Sequence, residues 1–313
     1  MIHPAPNIAA TSPSVAVRWL RWWAWLSAGL SYLVIAWGGV VRVSGSGLGC
    51  GDDWPLCRGG VAPRLDLATA LEYGHRLLAL LVSAAVLGMA WHAWRNRERQ
   101  DIRPVVPAAT AAVALLGVQI VLGAVTVALT LPAWATVAHL LTSSLLLGSA
   151  LWVAVRTGDR SGPTFGSTRT TRLLQLTAFF ALAVVVVGGV VANLGLAPAS
   201  PAPSASAASC AGFPLCNGQF IPVLNRFVLV HLLHRSLAFI LVALVAALVV
   251  VARVDDDRRT LRIAWLAAAF TLAQVFVGVW MVSGQLPAPL RALHMALGVA
   301  VWGVLAGGAA RVR

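Results

Sequence analysis

The chain contains no lysine, and only 11% of its 313 residues are charged. Charge this sparse excludes an ordinary soluble domain, which needs a far more polar surface. The net charge of +13 is carried wholly by arginine. A basic excess can mark a nucleic-acid binder. Here the arginines stand between apolar runs, which excludes nucleic acid as a partner and reads as membrane topology. The first apolar run lacks an A-x-A site after it; Arg42 and glycines follow instead. That excludes a typical cleaved leader, and the segment is read as retained. Arginine without lysine, beside abundant alanine, points to a GC-rich bacterial genome.

What is present is hydrophobic: 59% of the residues, with mean hydropathy +0.83. Eight apolar segments stand out, at 19–41, 71–93, 105–128, 133–155, 172–194, 226–252, 262–284 and 289–310. Each reaches the ~20 residues that cross ~30 Å of hydrocarbon as a helix. The expected class is an all-α integral protein embedded in membrane lipid. Arginines mark every alternate connection: Arg18 and Arg21 before segment one, Arg95 to Arg103 between two and three, Arg156 to Arg172 between four and five, Arg253 to Arg262 between six and seven, and Arg311 and Arg313 at the end. This places both termini in the cytoplasm of a bacterial cell and the connections 42–70, 129–132, 195–225 and 285–288 outside the inner membrane. Arg42, Arg58 and Arg64 in the first outer loop run against the pattern, offset in part by Asp52, Asp53 and Asp66.

The chain is a duplication. "GGVV" at 38–41 recurs at 188–191, and "WPLC" at 54–57 returns as "FPLC" at 213–216. "EYGHRLLA" at 72–79 matches "HLLHRSLA" at 231–238, and residues 119–139 match 274–294. Each half holds four segments, an even number, so both enter from the same side. The expected architecture is two four-helix bundles, parallel repeats related by a pseudo-two-fold axis along the membrane normal. The division is a cytoplasmic tail at 1–18, a first bundle at 19–156, a linker at 157–171 and a second bundle at 172–310. The second outer loop carries an extra Pro/Ala/Ser-rich stretch, 197–209, which reads as mobile.

Five of the seven histidines lie near the outer ends of even-numbered segments: His75, His139, His231, His234 and His294. A lone histidine there would read as interfacial, as His92 does near an inner end. Four in equivalent positions read differently. Duplicated pairs in an apolar bundle suit axial ligation of haem iron, His75 with His139 and His234 with His294. Zinc fits poorly, because two histidines leave a tetrahedral site short of ligands. His231 aligns with Glu72 rather than His75. That makes His234 the better ligand and leaves His231 as a supporting group behind it or as the alternative ligand. Arg76 and Arg235 follow the ligand positions directly. They are read either as snorkelling at the interface or as contacts to haem propionates.

All four cysteines fall in outer loops, as Cys50 with Cys57 and Cys210 with Cys216. Four cysteines allow three pairings. Proximity and an oxidising outer face favour pairing within each loop, as a staple or as a redox-active dithiol. A metal site there is disfavoured, since no histidine lies nearby.

Together "GGVVRVSGSGLGC", "DWPLC", "EYGHR", "AHLLTSSLLLG", "FPLC", "HRSLA" and "LHMALG" resemble the haem A synthase family over residues 19–310. The resemblance implies a membrane oxidoreductase that converts a ring methyl of haem O to a formyl group, producing haem A for terminal oxidases. It implies a haem b cofactor on His234 and His294, a haem O substrate site on His75 and His139, and a haem O-producing farnesyltransferase as an upstream partner. Glu72 matches the family's acidic residue beside the first ligand. The copy replaces Glu72 with His231, an asymmetry that suggests chemistry in one half and electron transfer in the other. A carboxylate there can act as general base or stabilise an electron-poor carbon, and it can also pair with Arg76 at i+4. The competing readings are a diheme b-type protein that oxidises quinol without altering haem, and a transporter.

Overall fold

A computed structural model describes residues 14–61, 63–64, 66–157 and 167–311. His3 and the tail to residue 13, the linker residues 158–166 with Arg160, and Arg313 lie outside the described residues. The helices are α1 (Val15–Val43), α2 (Leu67–Arg95), α3 (Val106–Ala128), α4 (Ala133–Arg156), α5 (Thr168–Asn193), α6 (Ala205–Ala208), α7 (Arg226–Val254), α8 (Arg258–Ser283) and α9 (Ala288–Ala309). A 3₁₀ turn, Arg103–Val105, leads into α3. No strand occurs among the described residues, only two isolated bridges in the loops that carry the cysteines.

Eight helices, all but the single turn α6, are long and apolar enough to cross a membrane. Large apolar side chains such as Phe179, Phe276, Leu80 and Trp91 face outward, as lipid-facing surface does. The chain is therefore a multi-pass membrane protein. Helices α1, α2, α5 and α8 each begin four residues before the apolar edge expected for them. Hydropathy marks only the hydrocarbon-buried part, whereas the helix continues through the interface to its cap. The cap is a side chain in each case: Ser14 accepts from Val17 N, Asp66 from Thr69 N, Ser167 from Thr170 N and Asp257 from Thr260 N. The tail expected to run to residue 18 thus ends at Ser14, and the linker expected to run to 171 ends at Ser167.

α1 and α3 each pack against both α2 and α4, which closes a ring of four. α5 and α8 each pack against both α7 and α9, which closes a second. The rings meet along a seam where α9 touches α1 and α4, and α4 touches α5. Small residues let the seam close. A β-carbon on Gly148 would stand 2.7 Å from the Trp302 ring, and one on Gly189 would stand 2.9 Å from Leu140. One on Gly39 would overlap Met295.

The 197–209 stretch is ordered, against its expected mobility. Ser204 and Ser206 are buried. The Ser204 hydroxyl donates to the Val191 carbonyl and caps α6, and the Ser206 hydroxyl donates to the Phe227 carbonyl at 3.0 Å. Arg291 at the start of α9 donates to the carbonyls of Pro201 and Ala202. Low-complexity composition hides this, because hydroxyl-to-backbone bonds replace the missing apolar contacts. The stretch covers the end of the seam at the start of α9.

Candidate functional site

The N-terminal halves of α2, α4, α7 and α9 carry His75, His139, His231, His234 and His294. His75 and His234 each lie eight residues beyond the start of their helix, and His139 and His294 each lie six. At 1.5 Å per residue that is roughly 9–12 Å along the axis, so all four share nearly one depth. The rings of His234 and His294 stand 6.3 Å apart, centre to centre, and His75 and His139 hold the matching positions on α2 and α4 of the other ring. The structure thus brings His234 and His294 together and sets His75 and His139 in the equivalent places.

Each histidine sits on a glycine of a neighbouring helix. A β-carbon on Gly38 would lie 3.0 Å from the His75 ring, on Gly188 2.9 Å from His234, and on Gly278 3.0 Å from His294. The fourth seat, Gly123 against His139, is looser at 3.7 Å. The Gly-Gly doublets therefore have two tasks. Gly38 and Gly188 admit a histidine of their own ring. Gly39 and Gly189 admit, across the seam, Met295 and Leu140, the residues that follow His294 and His139. The repeated glycines were visible in the sequence; what they faced was not.

The residues fit a haem. The Nδ1 atom of His139 is buried without a hydrogen-bond partner among the described residues. With metal–imidazole bonds of about 2 Å, two rings on opposite sides of one metal have centres about 6 Å apart, close to the spacing of His234 and His294. The glycine seats keep the rings close to the helix axes, where a Cβ would push them inward.

Around these pairs the polar residues hold the cysteine loops. The disulfides are Cys50–Cys57 and Cys210–Cys216, within each loop, and all four cysteines are buried. Each loop closes on the same bridge, Cys57 with Gly60 and Cys216 with Gln219. Arg76 donates to the carbonyls of Asp53, at 2.9 Å, and Leu56. Arg235 donates to those of Cys210 at 2.8 Å and Gly212 at 2.9 Å. Glu72 is only 4% exposed. Its carboxylate accepts from the Cys50 amide at 2.8 Å and pairs with Arg76 at 2.6 Å. His231 is equally buried, and its Nδ1 donates to the Ser206 carbonyl at 3.0 Å. His231 lies on the loop side, while His234 faces His294. Asp53 accepts from the Gly59 amide, so it closes its own turn. The grips of Arg76 and Arg235 escaped sequence reasoning, since backbone carbonyl acceptors leave no mark in composition.

Gln119, retained in the repeat as Gln274, donates to the His139 carbonyl at 2.9 Å and to Thr142. It ties α3 to the ligand-bearing turn of α4. At the outer start of α2, hydrogen bonds from Thr69, with the Arg58 guanidinium beside it, hold the Asp66 carboxyl below the usual carboxylate range.

Eight membrane-crossing helices with histidine pairs set on glycines define a class: a multi-pass helical membrane protein with paired histidines buried between its helices. The cytochrome oxidase assembly protein family, COX15-CtaA, matches over residues 21–70 and 66–306. A "Heme A synthase" of Symbiobacterium thermophilum is 34% identical over 285 residues, 87% of this chain and 89% of that protein. Proteins of the same name from Alkalihalophilus pseudofirmus and Halalkalibacterium halodurans are each 30% identical, over 70% and 79% of this chain and 71% and 81% of theirs. The chain belongs to the haem A synthase family, among enzymes of haem biosynthesis.

Proposed function

We propose that the protein oxidises one ring methyl group of haem O to a formyl group, giving haem A. The observation that carries this is the doubled pair of histidines at one depth, each on its own glycine seat, in a chain of this family. His75 and His139 hold the substrate haem O, and His234 and His294 hold a haem b. Bound haem b supplies one-electron redox chemistry beside the substrate site. Two successive hydroxylations of the methyl carbon, each a two-electron oxidation in which an oxidant from outside the chain supplies the oxygen or takes the electrons and protons, give a geminal diol, which loses water to leave the formyl group.

The chain's own residues position and shield. The glycine seats set the imidazoles at fixed depth, and the disulfide loops cover the outer ends of both rings. Glu72 lies one turn before His75 on the same face of α2. It supplies the carboxylate nearest the substrate ligand and stabilises an electron-poor carbon there or accepts its proton. The two rings are parallel repeats about an axis along the membrane normal, with the matched seam contacts Gly39–Met295 and Gly189–Leu140 in support. Both termini lie in the cytoplasm of a bacterial cell and the cysteine loops on the outer face. A haem O-producing farnesyltransferase supplies the substrate. The family match does not favour the diheme quinol-oxidising alternative.

The test is pigment extraction after co-expression with such a farnesyltransferase. Haem A and haem b in the purified protein are the expected result. Haem b alone, with haem O unchanged in the membranes, would overturn the proposal.

A further inference from the structure

Arg42 ends α1 and Arg291 begins α9, and they meet at the outer end of the seam between the two rings. Arg291 donates to the carbonyl of Val43, the residue after Arg42, at 3.4 Å. The two guanidinium groups interact as like charges. Arg42 is steadied by its Nε, which donates to Asn193 Oδ1 of α5 at 2.7 Å. No acidic side chain among the described residues forms an ion pair with either arginine. Each also has an orphan donor: Arg42 Nη1 and Arg291 Nε are buried without a hydrogen-bond partner among the described residues. Two adjacent cations with buried, unspent N–H groups are costly unless an anion accepts from them.

The position limits which anion. Above the pair lies the 197–209 stretch, whose carbonyls at Pro201 and Ala202 take other donors of Arg291. Gly45 lies tight against Ala199 and Pro201 and closes the same cover over α1. Arg42 Nη1 and Arg291 Nε are themselves buried, so an anion that accepts from them lies between the helices. Arg291 stands three residues before His294 on α9, and Arg42 four residues after Gly38, the seat of His75. Arg291 is thus one turn outward of the ligand His294 on its own helix face, and Arg42 reaches the seam beside it from the other ring. Arg76 and Arg235 have Nη donors on loop carbonyls. Among the described residues, the buried guanidinium donors without a partner are those of Arg42 and Arg291.

We propose that Arg42 and Arg291 form a carboxylate clamp at the seam and bind a propionate of the haem held by His234 and His294. This rests on the haem reading above. The clamp has no counterpart in the repeat, where Thr136 stands in the place of Arg291, so it marks one haem site and not the other. Asn193 and the serine-rich cover are its supports. The cover is therefore part of the haem site and not an ornament of the loop.

The test compares haemin with haemin dimethyl ester, which lacks the carboxylate charge, by Soret titration of the haem-depleted full-length protein. The unsubstituted protein is expected to bind haemin at least about tenfold more tightly than the ester, the range of a charge-assisted hydrogen bond. Arg42→Gln and Arg291→Gln each shrink that preference and their combination abolishes it, with ester affinity and the bis-imidazole spectrum unchanged. Arg291→Lys retains part of it, which keeps the test valid if a glutamine variant folds poorly. Full preference in the double variant would overturn the clamp. So would loss of co-purified anionic phospholipid from that variant with the preference intact, which assigns the donors to a lipid phosphate. Failure of the unsubstituted protein to bind either porphyrin would overturn the haem reading and the clamp with it.

Discussion

Glu72 and His231 occupy matching places in the two halves and make opposite ends of a hydrogen bond. Glu72 accepts from the Cys50 amide, whereas His231 donates to the Ser206 carbonyl. Each anchors the outer loop of its own ring, and the difference in residue type follows which backbone group the loop presents. Glu72 thus has a structural task in addition to the chemical one proposed for it, and two variants separate them.

Glu72→Gln preserves an acceptor for the Cys50 amide but removes the charge. Glu72→Ala removes both. Both variants are expected to retain the haem b spectrum and to lose haem A production, by about 100-fold or more for a group acting directly on the reacting carbon. Pigment extraction reads the outcome. Normal haem A from the glutamine variant would leave Glu72 as a loop anchor alone.

His234→Ala is expected to abolish the haem b absorption, and His231→Ala to keep it while lowering thermal stability through the lost bond to Ser206. An unchanged spectrum in the first and a lost one in the second would move the ligand to His231.

The glycine seats predict a graded series. Gly188→Ala places a methyl 2.9 Å from His234 and is expected to displace the ring and sharply lower haem content. Gly123→Ala, at 3.7 Å from His139, is an ordinary contact and is expected to cost much less. Haem-to-protein ratios of the purified variants decide it, and equal losses would show that the seats do not position the ligands.

Asp66 predicts a pH dependence. Its carboxyl is held below the ordinary value of 3.8 by Thr69 and Arg58, so the stability it adds is present above that value. It is lost only as pH falls through the lower folded value. Asp66→Ala is expected to melt earlier than the unsubstituted protein at pH 7 and at pH 5, with the gap closing only below about pH 4. Melting curves in detergent across this range check it, and a gap that closes by pH 5 would contradict the assignment.

The eight spans were legible because hydrocarbon thickness writes itself into sequence as length and hydropathy. The histidine pairs were legible because duplication set each residue beside its copy. Helix ends were not, since Ser14 and Ser167 cap a full turn beyond the apolar edge. The order of 197–209 was not, since it rests on serine hydroxyls and carbonyls that composition does not resolve. Arg42 was read as an exception to the charge pattern; only the fold shows it beside Arg291.

The contact between Glu72 and Cys50 has a mechanical consequence. The sulfur-bridged loop hangs from a side chain one helical turn away from His75, and a second grip, Arg76, adjoins that histidine in the chain. The disulfide loop and the ligand-bearing turn of α2 are thus fastened to each other at two neighbouring points, so neither can be displaced without breaking a contact of the other.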